Sequence, residues 1–320
     1  MASKLQITRS YSNVASDINA VKVNPWFITG FADAEGTFTV KLSKSDKYRT
    51  GWKVELLFAI GLHVKDIAIL KAIQNSLEGV GTILTQGENS VQFVVSSKKG
   101  LQVIMSHFQQ YPLITQKKAD YEIFKRILEI VSSKGHLDNE NKEGGLQEIV
   151  NLRAALNLGL SDTIKVAFPD TIPVARPAVG NLTCPHPEWL AGFTSGEGCF
   201  SIKIRKGTTK LGYRVELAFI LTQHVRDEQL LKNLITYLGC GNYYKQANNS
   251  FGNIRCENFT DIFEKIIPFF QEYKIVGIKA LDFEAWCKVA DLMKSKAHLT
   301  LEGLETIREL QSKMNRSRIS

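Results

Sequence analysis

Two glutamates stand at matching places in a segment that occurs twice in the chain. The first copy, residues 25–38, carries Glu35, and the second copy, residues 187–200, carries Glu197. Each glutamate is followed by a glycine and then by residues that alternate in polarity as in a strand. Two carboxylates side by side would supply the oxygen ligands that a hard divalent cation prefers. This repeated segment is therefore the first candidate for a catalytic site.

A glycine in the middle of each copy indicates how the two glutamates would be brought together. Each copy has the features of a helix that begins at proline, and Gly30 and Gly192 fall inside these helices. A glycine there weakens a helix by about 1 kcal/mol relative to alanine. It is explained if another backbone approaches closely at that point. We therefore predict that the two helices pack on each other through these glycines, with their terminal glutamates side by side.

The similarity between the two parts of the chain extends well beyond this segment, at an offset of about 162 residues. Residues 54–56, 63–66 and 108–121 match residues 215–217, 224–227 and 270–283. A repeat of this length indicates two copies of one fold, related by a pseudo-twofold axis. Hydrophobic periodicity predicts the same elements in each copy: a helix, a hairpin, a helix, a second hairpin and further helices.

The repeat and the distribution of proline predict how the chain is divided. The expected parts are an N-terminal tail over 1–23, a first half over 24–158, a linker over 159–186 and a second half over 187–320. Five of the eight prolines lie between 169 and 187, which indicates an extended linker with a short helical turn near 162–168. The tail is rich in Ser, Asn and basic residues, and is expected to be disordered; a weak transit peptide is the alternative.

Composition narrows the classes of protein. With 320 residues, 44% of them hydrophobic, the chain is expected to be globular. A net charge of +8 is compatible with ordinary solubility or with a polyanionic partner. Five scattered cysteines without a CxxC pair argue against a disulfide scaffold and a zinc site, and favour a reducing intracellular compartment. The longest apolar runs, such as 266–270, are too short to span a membrane.

Residues 28–36 and 190–198 resemble the nine-residue signature of the LAGLIDADG homing endonucleases. The resemblance covers nearly the whole chain, includes the segments 113–117 and 145–150, and is strongest to the single-chain, I-OnuI-like enzymes of fungal mitochondrial introns. It implies an α+β fold of two αββαββα halves whose motif helices pack at the centre. It further implies that antiparallel sheets form a saddle over duplex DNA, and that the protein is mitochondrial.

The sequence departs from the signature at its sixth position, which is Asp33 in the first copy and Ser195 in the second. The family places its essential acid at the eighth position, so the resemblance assigns metal binding to Glu35 and Glu197. It also implies that the carbonyl groups of Ala34 and Gly196 add ligands. Mg²⁺ is the expected cofactor, with Mn²⁺ able to substitute. Such a metal activates water and stabilises the leaving oxygen in phosphodiester hydrolysis.

Three further residues have a predicted role in the active site. Lys117 and Lys279 match in the repeat, and a lysine near the scissile phosphate stabilises developing charge. Gln223, expected just past the end of a strand, matches a family position that orders active-site water, whereas its repeat partner is Leu62. The two half-sites are therefore expected to be chemically unequal. A surface or phosphate-binding role is the alternative for the lysines.

The polar faces of the predicted sheets are expected to enter the major groove, where base edges are distinguishable. In the first half, alternation assigns DNA contacts to Thr37, Thr39, Lys41, Ser43, Lys53, Glu55, Thr82, Gln86 and Gln92. In the second half, it assigns them to Ser201, Lys203, Arg205, Arg214, Glu216, Asn242, Tyr244, Gln246, Asn253 and Arg255. The alternative for any single residue is a solvated sheet face. Two such halves would cover about 20 bp of duplex, and the target should be asymmetric.

The sequence thus favours a monomeric, Mg²⁺-dependent, site-specific DNA endonuclease. That it leaves 3′ overhangs and promotes intron homing follows from the resemblance alone. Two alternatives use the same fold: an RNA maturase that assists splicing of a host intron, and a DNA-binding regulator that does not cleave. Intact acids at both eighth positions favour the nuclease over these alternatives.

Overall fold

The computed structural model describes residues 22–137, 145–157, 159–180, 183–246 and 250–314. Nearly all of the predicted N-terminal tail lies outside these ranges, as do the last six residues. None of the helices in the described ranges is long and apolar enough to cross a membrane.

The first half follows the predicted order of elements. Its helices and strands are α1 Pro25–Glu35, β1 Gly36–Lys44, β2 Trp52–His63, α2 Ile67–Ser76, β3 Thr82–Gln86, β4 Ser90–Val95, α3 Lys98–Gln110, α4 Lys117–Ser132 and α5 Leu146–Ala154. A short helix, α6 Asp162–Ala167, lies in the predicted linker. The sequence located most of these boundaries to within two residues, because alternation and capping signals mark them locally.

The second half repeats this order with one interruption. Its elements are α7 Pro187–Glu197, β5 Gly198–Lys206, β6 Tyr213–His224, α8 Glu228–Leu238, β7 Asn242–Lys245, β8 Phe251–Cys256, α9 Phe259–Asp261, α10 Ile267–Glu272, α11 Ile278–Lys294 and α12 Leu301–Ser312. A π-helical turn, Ile262–Ile266, separates α9 from α10. Pro268 has no amide hydrogen to donate in this region, and the turn widens so that the Ile267 N–H donates to the Ile262 carbonyl group.

Each half contains one four-stranded antiparallel sheet, with the strand orders β1-β2-β4-β3 and β5-β6-β8-β7. The register pairs Lys41 with Glu55 in the first sheet and Lys203 with Glu216 in the second. Directly opposed residues in an antiparallel pair share a face. The alternation predicted for β1 is therefore confirmed: Phe38 and Val40 are buried, and the opposite face of the strand carries Thr37, Thr39, Lys41 and Ser43.

Clustered aromatic rings hold the helices of each half against its own sheet. Phe38 lies with its ring centroid 5.2 Å from that of Phe58 and 5.3 Å from that of Phe124. Phe200, its repeat counterpart, lies 5.0 Å from Phe283 and 5.3 Å from Trp286. Each such pair contributes about 0.5–1.5 kcal/mol beyond the burial of its area.

The chain forms two compact units whose boundaries differ from those of the repeat. One unit comprises Met1–Pro25 and Glu35–Asn181, and the other comprises Trp26–Ala34 and Leu182–Ser320. The first motif helix, α1, thus belongs by sequence to the first half and by its contacts mainly to the second unit. It leaves that unit at Glu35, where β1 of the first sheet follows.

The two motif helices, α1 and α7, contact each other through the two predicted glycines. A Cβ atom added to Gly30 would collide with the Trp189 carbonyl oxygen and lie 2.9 Å from the Phe193 nitrogen. A Cβ atom added to Gly192 would collide with the Phe27 carbonyl oxygen and lie 2.9 Å from the Phe31 nitrogen. The contact is reciprocal and involves backbone on both sides, so neither position has room for a side chain.

We expect Gly30→Ala to destabilise the protein by about 2 kcal/mol or more. The added methyl group would clash with the backbone of the other helix, which cannot move aside as a flexible side chain can. The gain in helix propensity offsets only about 1 kcal/mol of this cost. The free energy of unfolding in urea measures the effect. Gly61→Ala is the control, since no atom lies within 4 Å of its added Cβ. Equal stability of the two variants would contradict the close-contact interpretation.

Candidate active site and DNA-facing surfaces

The end of the second motif helix brings a carboxylate and an amide together. Glu197 is the last residue of α7 and is half-buried. The Nε2 atom of Gln223 lies 3.5 Å from the Oε1 atom of Glu197. Gln223 lies within β6, paired with Gly252, rather than past the end of the strand as predicted. Its Oε1 atom accepts a hydrogen bond from the His224 N–H at 2.8 Å, which turns the amide nitrogen toward the carboxylate.

A lysine reaches the same helix end from α11. The Nζ atom of Lys279 donates to the Thr194 carbonyl oxygen at 3.2 Å and also to the Gly196 carbonyl oxygen. Lys279 is thus brought together with Gly196, one of the two predicted carbonyl ligands. Cys199 lies nearby, and burial raises the pKa of its thiol, with Lys279 opposing the shift. The thiol therefore stays protonated at neutral pH, which disfavours a nucleophilic role.

The corresponding residues of the first motif occupy equivalent places in their own elements. Glu35 is the last residue of α1 and is half-buried, as is Ala34 before it. Lys117 is the first residue of α4, and its backbone N–H donates to the Thr115 hydroxyl oxygen at 3.2 Å. Leu62 occupies the position of Gln223 near the end of its strand. An aliphatic side chain cannot form the hydrogen bond that the amide forms in the second half.

A buried carboxylate next to Lys117 was not assigned any role from the sequence. Asp120 is 5% exposed, and its Oδ1 atom accepts a hydrogen bond from Arg176 of the linker at 2.8 Å. It also accepts one from the Asn157 N–H at 3.5 Å, and the Asn157 Nδ2 donates to the Phe38 carbonyl oxygen at 2.9 Å. This chain of contacts ties the linker to β1, three residues beyond the first motif glutamate. The match of Asp120 with Asp282 in the repeat was the available signal.

The sixth-position mismatch has a structural explanation in the contact between the motif helices. Asp33 is 1% exposed, and its Oδ2 atom accepts a hydrogen bond from the indole Nε1 of Trp189 at 2.8 Å. Phe27 occupies the place of Trp189 in the first motif and has no such donor. Ser195 stands opposite in the repeat and instead donates to the Ala191 carbonyl oxygen at 2.8 Å. The first motif thus has Asp33 at the sixth position because the indole N–H of Trp189 needs a hydrogen-bond acceptor there.

The residues predicted to contact DNA from the first sheet share one accessible face. The register pairs Lys41 with Glu55, Ser43 with Lys53 and Gln86 with Ser90, so alternate residues of all four strands lie on the same side. The side chains on this face are Thr37, Thr39, Lys41, Ser43, Lys53, Glu55, Thr82, Gln86 and Gln92, and none of them is buried. Glu55 raises the pKa of Lys53 through a 2.6 Å hydrogen bond.

The second sheet has the corresponding polar face, with one exception to the predicted accessibility. Accessible side chains there are Ser201, Lys203, Arg205, Arg214, Glu216, Asn242, Tyr244 and Arg255, with Gln246 directly after β7. Glu216 lies 3.1 Å from Arg205 and 2.8 Å from Arg214. Asn253 lies on this face but is only 2% exposed, and its Oδ1 atom accepts a hydrogen bond from Arg255 at 3.1 Å. It positions the guanidinium group instead of presenting its own amide.

Two exposed apolar residues on these faces had no predicted role, because only polar side chains were assigned to DNA. Leu84 is 46% exposed and pairs with Gln92, and Phe251 is 47% exposed and pairs with His224. The histidines His63 and His224, which match in the repeat, have a structural role. Each accepts a backbone N–H at its Nδ1 atom, from Lys65 or the equivalent arginine, and so caps a 3₁₀ turn.

The donor set of the two motifs fits a divalent cation that retains water ligands. No group of three or more His, Cys, Asp or Glu side chains able to hold a metal occurs among the described residues. The described residues therefore do not form a metal site in which side chains occupy every coordination position. One carboxylate and one carbonyl oxygen per motif are hard oxygen donors, and Mg²⁺ binds to one or two carboxylates together with substrate phosphate and water.

Comparison with known proteins shows which family the chain matches. The family model described as LAGLIDADG endonuclease matches the chain twice, over residues 28–128 and 190–290. "Probable intron-encoded endonuclease 3" of Neurospora crassa is 38% identical over 294 residues, or 90% of this chain. "Probable intron-encoded endonuclease 2" of the same fungus is 40% identical over 304 residues, or 91% of this chain. The chain spans 54% and 65% of the lengths of these two relatives.

Solved structures match over nearly the whole chain. The homing endonuclease I-SmaMI, in a crystal structure bound to cleaved DNA, superposes with a TM-score of 0.90 at 42% identity, covering 93% of this chain and 99% of that one. Another structure of I-SmaMI is bound to an uncleaved DNA target in the presence of calcium ions. The homing endonuclease I-GzeII in complex with its DNA target gives a TM-score of 0.87 at 43% identity, covering 93% of this chain and all of that one.

The bond between Asp33 and Trp189 predicts a measurable energetic coupling. Trp189→Phe removes one hydrogen-bond donor from a buried carboxylate, so it should cost about 2 kcal/mol of unfolding free energy. Asp33→Ser combined with Trp189→Phe recreates the Phe27 and Ser195 pairing and should cost less than the sum of the two single variants. A double-mutant cycle in urea measures the difference, expected to be about 1.5 kcal/mol. Strict additivity would show that the bond does not contribute.

Proposed function

This chain belongs to the LAGLIDADG endonuclease family, and on that premise we propose that it is a monomeric, site-specific DNA endonuclease that requires Mg²⁺. The observation that best supports the proposal is the convergence of Glu197, Gln223 and Lys279 at the end of the second motif helix. A carboxylate, an amide and an ammonium group at one point provide for binding a cation, ordering water and neutralising a phosphate. The bound DNA in the related structures is consistent with this substrate.

In the proposed mechanism, Glu35 and Glu197 each serve one strand of the duplex. Each carboxylate would hold the cation, and the carbonyl oxygen of the residue before it, Ala34 in the first motif and Gly196 in the second, would add a ligand. Mg²⁺ bound there would supply a Lewis acid that activates water and neutralises the leaving oxygen. The protein fixes these donors in place because both glutamates end helices that are locked together through backbone.

The remaining residues of the two half-sites act unequally. The Nε2 group of Gln223 faces Glu197, so it is placed to orient a water molecule against that carboxylate. Leu62 cannot do this in the first half. Lys279, and by repeat Lys117, would stabilise the negative charge that develops on the scissile phosphate. The two strands are therefore expected to be cut at different rates.

The two polar sheet faces would contact the bases, with about 20 bp as the expected length of the target. The faces differ at most matched positions, so the target should be asymmetric. We propose that cleavage leaves 3′ overhangs, that it promotes homing of a host intron, and that the protein acts in fungal mitochondria. The relatives named as intron-encoded endonucleases support this setting.

Cleavage of a randomised duplex library tests the activity directly. Sequencing the ends produced in Mg²⁺ should give one asymmetric consensus with staggered cuts on the two strands. The same library with EDTA in place of Mg²⁺ is the control and should remain intact. An absence of any cleaved sequence, from protein shown to be folded, would contradict the nuclease assignment.

Glu35→Gln and Glu197→Gln should each abolish double-strand cleavage while leaving specific binding intact, because an amide is a poor ligand for Mg²⁺ and keeps the shape of the side chain. The measurements are plasmid linearisation and Kd for the selected target. Glu188→Gln is the matched control, since it changes a glutamate at the other end of the same second helix. Double-strand cleavage by either motif variant would overturn the assignment of the metal ligands.

Lys279→Met should slow single-turnover strand cleavage about 100-fold, because it removes a charged donor of the kind that stabilises a transition state. The Kd for the target should change by less than about threefold, since one phosphate contact contributes little to binding. Lys288→Met is the control, because Lys288 is exposed on the same helix. A loss of affinity with unchanged cleavage rate would instead make Lys279 a simple phosphate contact.

A further inference from the structure

The outer hairpin of the first sheet, β3 and β4, differs in chemistry from the inner hairpin beside it. The DNA-facing side chains of the inner hairpin include Lys41, Lys53 and Glu55. The outer hairpin carries no charged residue in either strand. Its DNA-facing side chains are Val94, which is half-buried, and Thr82, Leu84, Gln86, Ser90 and Gln92. We call the last five residues the uncharged patch. A patch without lysine or arginine neutralises no phosphate charge, so counterion release does not contribute to its affinity.

An exposed leucine lies in the middle of the uncharged patch. Leu84 is 46% exposed, while its neighbour Ile83 faces the other side of the sheet, opposite buried Phe93. Leu84 therefore is not needed to fill the core of the sheet. Exposing a leucine to water gains nothing for the free protein, and burying it against an apolar group would yield about 25 cal/mol per Å². An apolar contact with a bound partner would account for its position.

Two amide side chains next to Leu84, those of Gln86 and Gln92, are joined by a hydrogen bond. Gln92 lies directly opposite Leu84 in the register, and its Oε1 atom accepts a 2.8 Å hydrogen bond from Gln86 Nε2. On the other side Gln92 pairs with Gly61, which has no side chain to cover it. The face therefore presents an amide, a leucine and a second amide next to one another, with small hydroxyl groups at Thr82 and Ser90.

The second sheet has a different set at the matched positions. Tyr244 stands at the place of Leu84 and is also exposed, at 47%. Asn253 stands at the place of Gln92 but is 2% exposed and bonded to Arg255, whose guanidinium lies 6.0 Å from the Tyr244 ring. At this matched position the second sheet thus has a buried amide bonded to an arginine, whereas in the first sheet the half-buried Gln92 is bonded to another amide. The uncharged patch is a feature of the first half alone.

We infer, on the basis of the proposed function, that the uncharged patch recognises A·T base pairs in the major groove of one arm of the target. Gln and Asn side chains bond bidentately to the N6 and N7 atoms of adenine, whereas Arg and Lys bond to guanine. Apolar side chains contact the C5-methyl group of thymine, and this group is found on no other unmodified base. Leu84 is assigned to a thymine methyl group, and Gln92 to an adenine.

The thymine assignment is tested by removing methyl groups one at a time. Each thymine of the target found in the library selection is replaced by 2′-deoxyuridine, and binding is measured in EDTA with wild-type protein and Leu84→Ala. One or two replacements in one arm should weaken wild-type binding about fourfold, the value of one buried methyl group. Leu84→Ala should be indifferent to those same replacements. Leu301→Ala, which truncates an exposed leucine on α12, should keep the wild-type pattern.

The adenine assignment is tested by a change of preference. A fresh selection with Gln92→Arg should exchange adenine for guanine at one position in the same arm, with the rest of the consensus unchanged. Wild-type protein that is indifferent to every methyl group would overturn the inference, as would Leu84→Ala with the full wild-type pattern. Both results are obtained on a target that the protein cleaves, so they leave the nuclease assignment standing. Failure to recover any target would sink that assignment itself.

Discussion

The backbone contact between the two motif helices is the constraint on which the rest of the arrangement depends. At Gly30 and Gly192 each helix lies against main-chain atoms of the other, with no room for a Cβ atom. Each helix then ends at its glutamate, and the first strand of a sheet begins at the next residue. The place of each carboxylate, and of the start of the strand that follows it, is therefore fixed by the same contact. Two glycines that weaken isolated helices make this possible.

The two halves of the chain share a fold but differ at the residues that surround this contact. Asp33 accepts the indole hydrogen bond of Trp189, while Ser195 bonds within its own helix. Gln223 faces Glu197, while Leu62 stands in its place in the first half. Each difference keeps the packing and changes the chemistry nearby. A duplicated fold whose halves differ in this way fits the asymmetric target proposed above.

Much of the fold could be predicted because its signals are local in the sequence. Period-two alternation identified the polar and buried faces of β1 and β2, and the repeat gave the order of elements in the second half. The glycine contact was predictable because a glycine weakens a helix, and a close approach by another backbone explains why it is tolerated. The two glutamates became candidates for metal binding because they recur at matching positions. A single exposed acid would have carried no such signal.

Other features depend on contacts that are distant in the sequence and carried no local signal. Arg176 lies in the linker, and nothing near it indicates that it reaches Asp120. The burial of Asn253 depends on its surroundings in the sheet, because its place in the alternation is that of an accessible residue. Leu84 was assigned to no DNA-facing role because polarity alone separated the two faces. For Asn253 and Leu84 the alternation gave the correct face, and the packing of neighbouring side chains decides how far each residue is exposed.

The central claim is that the locked motif helices hold two glutamates that bind the catalytic cations on one duplex. The most direct measurement is the anomalous scattering of Mn²⁺ in crystals of the protein with its selected DNA target. The account predicts a Mn²⁺ peak within coordination distance, about 2.2 Å, of a carboxylate oxygen of Glu35 and of Glu197, next to a scissile phosphate. Peaks that lie away from both carboxylates, or glutamates that do not reach the DNA, would contradict it.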